Sequence, residues 1–144
     1  MSGLVSIVMF PLTLLAAEPS PYERAFKEAE TNQRPLLVLV GATWCPSCQT
    51  MKQTVLPRLA SRGELATVSF AAVDADAEAE LAGHLLRGAA VPQLIAFSRK
   101  PGGKWQREQI TGLASDAEVQ GLIARALKVQ QGIAEANPAG AIGN

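Results

Sequence analysis

The chain has few of the residues that build metal centres and disulfide frameworks: its 144 residues include two cysteines and one histidine. Small secreted domains stabilised by disulfides usually need several bridges, which two cysteines cannot form. A tetrahedral zinc site needs four ligands, and His84 with a single Cys-x-x-Cys pair supplies too few in one chain. We therefore expect no metal and no cofactor, with a zinc site shared between subunits as the alternative. His84 is expected on a helix surface or in side-chain packing.

The sequence also lacks an excess of one charge. Thirteen Lys and Arg residues balance thirteen Asp and Glu residues, and no cluster of like charge stands out. Proteins that track phosphates or anionic lipids usually carry such a cluster. Nucleic acid is therefore not an expected partner.

The apolar stretch of residues 1–17 is too short for a membrane-spanning helix, which needs roughly 20 residues, and Pro11 interrupts it. Polar sequence follows at once, so the stretch predicts a signal peptide cleaved near Ala16 or Ala17. Its weakness as a signal is that no basic residue precedes the apolar run. A periplasmic or other extracytoplasmic location is expected. The alternatives are a membrane anchor, or a hydrophobic N-terminal strand in a cytoplasmic protein.

Hydrophobic patterning predicts an α/β fold in one domain, residues 18–128, followed by a flexible tail, residues 129–144, that is rich in small residues. We expect a central mixed sheet flanked by helices, with a parallel first half and an antiparallel hairpin in the second half. Pro57 is expected to bend or break the second helix. The predicted elements are a helix ending near Asn32, a buried strand at 36–41, a helix from the cysteines, a strand at 66–76, a helix at 76–86, strands at 93–98 and 105–111, and a last helix capped by Ser115 and Glu118.

Both cysteines lie in "GATWCPSCQTMK", residues 41–52. Cys45 follows a predicted strand and should begin a helix, where free backbone N–H groups favour a thiolate. Such a position within Cys-x-x-Cys lowers a thiol pKa from roughly 8.5 to about 3.5–7.5. Cys48, one turn later, is placed to resolve a mixed disulfide. Pro46 suits the first helical turn, and Trp44 could cover the sulfurs and offer an apolar surface to a bound chain.

A purely structural disulfide is the alternative to a reactive dithiol. A bridge between residues three apart closes a loop too short to constrain the unfolded chain much, so this alternative is weaker.

The sequence resembles the thioredoxin superfamily from about Tyr22 to Leu127, and within it a branch of small exported thioredoxin-like proteins. The resemblance rests on "WCPSC", on "AVPQLIAF" and on "TGLASDAEVQGLI". It implies a thioredoxin fold in which Cys45 attacks a substrate disulfide and Cys48 releases the product. It also implies a cis bond between Val91 and Pro92, and pairing of the Val91 backbone with an extended substrate. Gly112 would correspond to the family's glycine before the last helix and would lie beside the substrate site.

The sequence departs from common thioredoxins at Leu39, where the family usually buries an aspartate that accepts the second thiol's proton. The lysine that often accompanies it is absent from "SFAAVD". The intervening Pro46 and Ser47 predict a reduction potential in the middle of the family's range.

The predicted function is that of a thiol-disulfide oxidoreductase acting outside the cytoplasm on protein thiols and disulfides. We expect a monomer, recharged by a membrane thiol electron donor. The alternative is a thioredoxin-fold binding or adaptor module without efficient redox turnover.

Overall fold

The computed structural model describes residues 17–135 of the chain, and the predicted signal peptide lies outside this range except for its last residue. Helices and strands alternate through most of its length. In chain order the elements are α1 (Pro21–Asn32), β1 (Leu36–Gly41), α2 (Pro46–Thr50), a π-helical turn (Met51–Val55), α3 (Leu56–Ser61), β2 (Ser69–Asp74), α4 (Ala79–Leu85), β3 (Gln93–Arg99), β4 (Trp105–Thr111) and α5 (Asp116–Glu135).

The four strands form one mixed sheet in the order β2-β1-β3-β4. β1 pairs with β2 in parallel, and the register ends with Gly41 opposite Asp74. β3 is antiparallel to both β1 and β4. This confirms the predicted mixed sheet with a parallel first pair and an antiparallel hairpin. It also brings the ends of β1 and β2 together beside the cysteines.

The central strand β1 is buried on both faces, as its unbroken apolar sequence predicts. Alternate residues of β1 enter two separate cores. Leu37 and Leu39 contact the core formed by the π-helical turn, α3 and α5. Leu36, Val38 and Val40 contact the core formed with α1 and α4. The sheet is therefore covered by helices on both sides.

Two helices begin with reciprocal caps. At α1, Ser20 Oγ accepts from Glu23 N while Ser20 N donates to Glu23 Oε2. The predicted capping box at α5 is confirmed, because Ser115 and Glu118 exchange the same pair of bonds.

Pro57 widens the second helix instead of ending it. Pro57 has no N–H, and in a regular α-helix its ring would clash with the carbonyl group four residues earlier. The π-helical turn just before it, in which Leu56 N–H donates to the carbonyl oxygen of Met51, accommodates the proline. Residues 46–61 are therefore helical throughout, with one wide turn.

Some element boundaries differ from the predictions. β2 and α4 are shorter than predicted, because residues 62–68 and 75–78 form turns. The structure also differs from the prediction of a tail from residue 129, because α5 continues to Glu135. Residues 129–135 contain no proline, and Gln130 Oε1 accepts a 2.7 Å bond from Arg99 N, which ties this part of the helix to β3. Residues 136–144 lie outside the described range.

His84 is exposed on α4, in agreement with its predicted surface position. Between residues 17 and 135, no helix is both long and apolar enough to cross a membrane.

Candidate active site

Cys45 is the N-cap of α2, in extended backbone conformation, with Pro46 at the first helical position. Cys48 N–H donates to Cys45 Sγ at 3.2 Å. The sulfur of Cys45 therefore lies where a helix N-terminus favours negative charge, and in the reduced protein this bond would stabilise a thiolate. Cys45 is 7 % exposed, whereas Cys48 is 2 % exposed.

Cys45 and Cys48 form a disulfide, with their Cα atoms 5.2 Å apart. Gly41, the last residue of β1, lies directly against the second cysteine. A Cβ atom at Gly41 would be 3.0 Å from Cys48 Cβ and 3.2 Å from its Sγ. A side chain at position 41 would therefore require Cys48 to shift by a few tenths of an ångström.

The segment before β3 lies beside the dithiol. The Val91–Pro92 bond is cis, which confirms the prediction. Val91 is half-buried, and its carbonyl oxygen is 3.8 Å from Cys45 Sγ. Gly112 N–H donates to the carbonyl oxygen of Pro92 at 2.8 Å. The structure thus brings Cys45, Val91, Pro92 and Gly112 together; the contact of the last three with substrate stays a prediction.

Gln93, which is fully buried, holds the loop before the cis bond. Its Nε2 donates to the carbonyl oxygens of Arg87 and Ala90, and its Oε1 accepts from Arg87 N. A single side chain therefore fixes both ends of the short loop that leads to Val91. Sequence reasoning missed this residue because a strand-initial glutamine carries no recognisable signal.

Trp44, which directly precedes Cys45, is 70 % exposed. Its indole Nε1 donates to Asp76 Oδ2 at 2.9 Å, which anchors the ring to the loop after β2. Pro46 is also exposed. Contact of Trp44 and Pro46 with a bound chain stays a prediction.

The sequence profile of the thioredoxin-like family matches residues 18–97. The chain belongs to the thioredoxin-like family. A thioredoxin-like fold with a Cys-x-x-Cys pair at bonding distance indicates a redox function. No curated protein sequence matches the chain.

Solved thioredoxins share the fold of this thioredoxin-like protein. A thioredoxin from Thermus thermophilus is 27 % identical, with a TM-score of 0.62, over 82 % of this chain and 93 % of that one. Trichomonas vaginalis thioredoxin is 27 % identical, with a TM-score of 0.53, over 74 % and 89 % of the two chains. A thioredoxin variant from Halobacterium salinarum is 25 % identical, with a TM-score of 0.53, over 72 % and 82 %.

Leu39 is buried at the position where thioredoxins usually carry an aspartate, and it lines a cleft beside Cys48. The cleft has a volume of about 210 Å³ and is also lined by Lys52, Asp74 and Glu78. Backbone N–H groups of Ala77 and Asp76 donate to Asp74 Oδ1, and with the nearby Lys52 ammonium they lower the pKa of Asp74. In this thioredoxin-like protein, the charged groups near the buried Cys48 therefore lie on elements other than β1.

Sequence reasoning missed Lys52, Asp74 and Glu78, although two of them leave a signal. Lys52 follows Cys48 by four residues, a spacing that places two side chains on one helix face. Asp74 ends the strand parallel to β1, so it must lie at the same sheet edge as the cysteines. In residues 17–135, no three His, Cys, Asp or Glu side chains are arranged to hold a metal ion.

Proposed function

We propose that this thioredoxin-like protein is a thiol-disulfide oxidoreductase that reduces or exchanges disulfides in protein substrates outside the cytoplasm. The observation that carries the proposal is the position of Cys45 Sγ, at a helix start and 3.8 Å from the carbonyl oxygen of Val91. The sulfur proposed as nucleophile thus lies beside the backbone of Val91, which pairs with no other backbone group of residues 17–135.

The reaction has two exchange steps. Cys45 thiolate attacks one sulfur of the substrate disulfide, forms a mixed disulfide and expels the other substrate sulfur as a thiolate. Cys48 then loses its proton and attacks Cys45 Sγ, which releases the second substrate thiolate and leaves the Cys45–Cys48 disulfide. The different exposure of the two cysteines supports these roles, because only the less buried sulfur can meet a bulky substrate.

The backbone of Val91 suits an extended protein segment. Within residues 17–135, neither its N–H nor its carbonyl group pairs with another backbone group. A substrate strand could therefore pair there while its disulfide meets Cys45. Exposed Trp44, next to Cys45 in sequence, would add apolar contact.

The direction of electron flow depends on the partner that recharges the dithiol. The proposed export through residues 1–17 implies a membrane thiol carrier as the donor. Expression with residues 1–17 fused to a reporter enzyme that is active only outside the cytoplasm tests the location. Cytoplasmic retention of the reporter would contradict this part of the proposal.

Reduction of insulin by dithiothreitol tests the activity. The protein should accelerate precipitation of the insulin B chain well above the rate with dithiothreitol alone, and Cys45→Ser should abolish the acceleration. A wild-type protein that gives no acceleration yet still binds unfolded chains would establish the adaptor alternative. The adaptor alternative is motivated by Leu39, which stands where thioredoxins usually bury a carboxylate.

Trapping in cells identifies the substrates. Cys48→Ser should accumulate proteins joined to Cys45 by disulfides that dithiothreitol releases. The double variant Cys45→Ser with Cys48→Ser is the control and should trap none. Zinc bound to the purified reduced protein in stoichiometric amount would instead support a metal site shared between subunits.

A further inference from the structure

The cleft beside Cys48 gives water access to the buried half of the dithiol. Its volume of about 210 Å³ has room for several water molecules. Three charged side chains line it, each from a different element: Lys52 from the π-helical turn, Asp74 from the end of β2 and Glu78 from the N-cap of α4. β1 and α2 contribute only neutral residues, namely Leu39, Gly41, Cys48 and Gln49.

The two carboxylates of the cleft differ in their hydrogen bonds. Asp74 Oδ1 accepts two bonds of 2.9 Å, from Asp76 N and Ala77 N, which stabilise its charged form. A carboxylate held in this way is a weak proton acceptor. Glu78 Oε2 accepts a longer bond of 3.3 Å, from Asp74 N. Glu78 Oε2 therefore carries one longer bond, where Asp74 Oδ1 carries two shorter ones.

We infer that Glu78 accepts the proton of Cys48, through water in this cleft, when Cys48 resolves the mixed disulfide. The inference rests on the proposed function. In balanced form, the Cys48 thiol gives its proton through water to the Glu78 carboxylate, and the thiolate attacks Cys45 Sγ. The Cys45–Cys48 bond forms, the bond from Cys45 to the substrate sulfur breaks, and the substrate leaves as a thiolate. Glu78 then releases its proton to solvent.

Lys52 is the positive group of the cleft. An ammonium near a thiol favours the thiolate, whereas a carboxylate near it disfavours the thiolate. Lys52→Gln should therefore raise the pKa of Cys48, and Glu78→Gln should lower it. If Glu78 accepts the proton, Glu78→Gln should nevertheless slow resolution near neutral pH. A lower thiol pKa combined with slower resolution is a result that loss of packing alone does not produce.

The test uses reduced protein mixed rapidly with excess of an aromatic disulfide that releases a coloured thiol. The first release depends on reagent concentration and reports attack by Cys45. The second release is independent of concentration and reports resolution by Cys48. In Glu78→Gln, the second release should slow by about tenfold or more at neutral pH and approach the wild-type rate above the pKa of Cys48. The first release should keep its wild-type rate.

Glu80→Gln is the matched control, because Glu80 lies on α4 but does not line the cleft. It should match wild type in both releases. Glu78→Asp, which keeps a carboxylate, should recover part of the rate. Circular dichroism establishes that each variant is folded. The Cys48 pKa, measured from thiolate absorbance in a Cys45→Ser background, gives the second readout.

Wild-type resolution in Glu78→Gln at neutral pH would overturn the inference, and so would a slowing that is equal at every pH. Failure of the proposed function is a separate result. A protein that does not reduce insulin still reacts with the small aromatic disulfide, so the role of Glu78 can be read in either case.

Discussion

The backbone N–H of Gly112 donates a 2.8 Å hydrogen bond to the carbonyl oxygen of Pro92. This bond joins the loop before α5 to the cis-proline beside the dithiol. Gly112 has φ of +95°, a conformation that side chains with Cβ rarely adopt. We expect Gly112→Ala to lower the free energy of unfolding by about 1–3 kcal/mol, measured in urea.

Gly83→Ala is the control for this change. Gly83 lies inside α4, and a Cβ atom there meets nothing within 4 Å. Alanine at this helical position should stabilise the protein by roughly 0.5–1 kcal/mol. Equal effects of the two substitutions would show that strain at Gly112 is unimportant.

Gly41→Ala should disturb the dithiol itself. The added Cβ atom would lie 3.0 Å from Cys48 Cβ, which is tighter than nine in ten real Cβ contacts, so Cys48 must shift by a few tenths of an ångström. Overpacking of this kind costs about 1–3 kcal/mol, so the urea midpoint should fall and closure of the Cys45–Cys48 disulfide should slow. Gly132→Ala on α5 is the control, because a Cβ atom there has open space. It should neither lower the urea midpoint nor slow closure of the disulfide. Wild-type closure in Gly41→Ala would contradict the close approach.

Trp44→Ala should weaken capture of substrate more than it weakens the fold. The side chain is 70 % exposed, so little buried area is lost from the folded protein. In the insulin assay, KM should rise severalfold with a smaller change in kcat, while the free energy of unfolding in urea stays within about 0.5 kcal/mol of wild type. Asp76→Asn, which perturbs the hydrogen bond to the indole but keeps the ring, should give a smaller effect. A kcat loss at constant KM would refute this binding role.

Asp116→Asn should change how stability depends on pH. Arg58 and Arg62 donate hydrogen bonds to this carboxylate, and they lower the pKa of Asp116 in the folded protein. The folded pKa of Asp116 lies below the unfolded value of about 3.9. The stability that this carboxylate contributes is therefore present above that pH and is lost as the pH falls through the folded pKa. Asp116→Asn should therefore be less stable near pH 7 and lose less stability on acidification.

Urea unfolding near pH 7 and below pH 4 measures this difference. Glu80→Gln is the comparison, since Glu80 makes no ion pair with any residue in the range 17–135. An equal change in the free energy of unfolding between the two pH values, in Asp116→Asn and in wild type, would contradict the prediction.

Much of the fold could be predicted because its signals are local. The unbroken apolar run of β1 and the Ser115–Glu118 cap each specify one element from adjacent residues. The dithiol was recognised in the same way, from a short motif. Family resemblance supplied Pro92 with its cis bond and the position of Gly112.

The cleft could not be predicted because it depends on contacts between distant segments. Lys52 and Glu78 are 26 positions apart in sequence and are brought together only by the parallel pairing of β1 with β2. The length of α5 was underestimated for a related reason. Its last turns contain small residues that suggest a tail, yet Gln130 is held by Arg99 from another element.

The π-helical turn before Pro57 joins α2, which carries the dithiol, to α3, which packs in the core. The number of residues in this turn sets the rotation of α3 relative to α2. Gln53 and Thr54 in this turn are exposed, while Val55 and Leu56 are both buried. Loss or gain of one residue here would rotate α3 by about 100° relative to α2 and turn Leu59 out of the core. Gln53 and Thr54 should accept many substitutions, but the turn should accept no change in chain length.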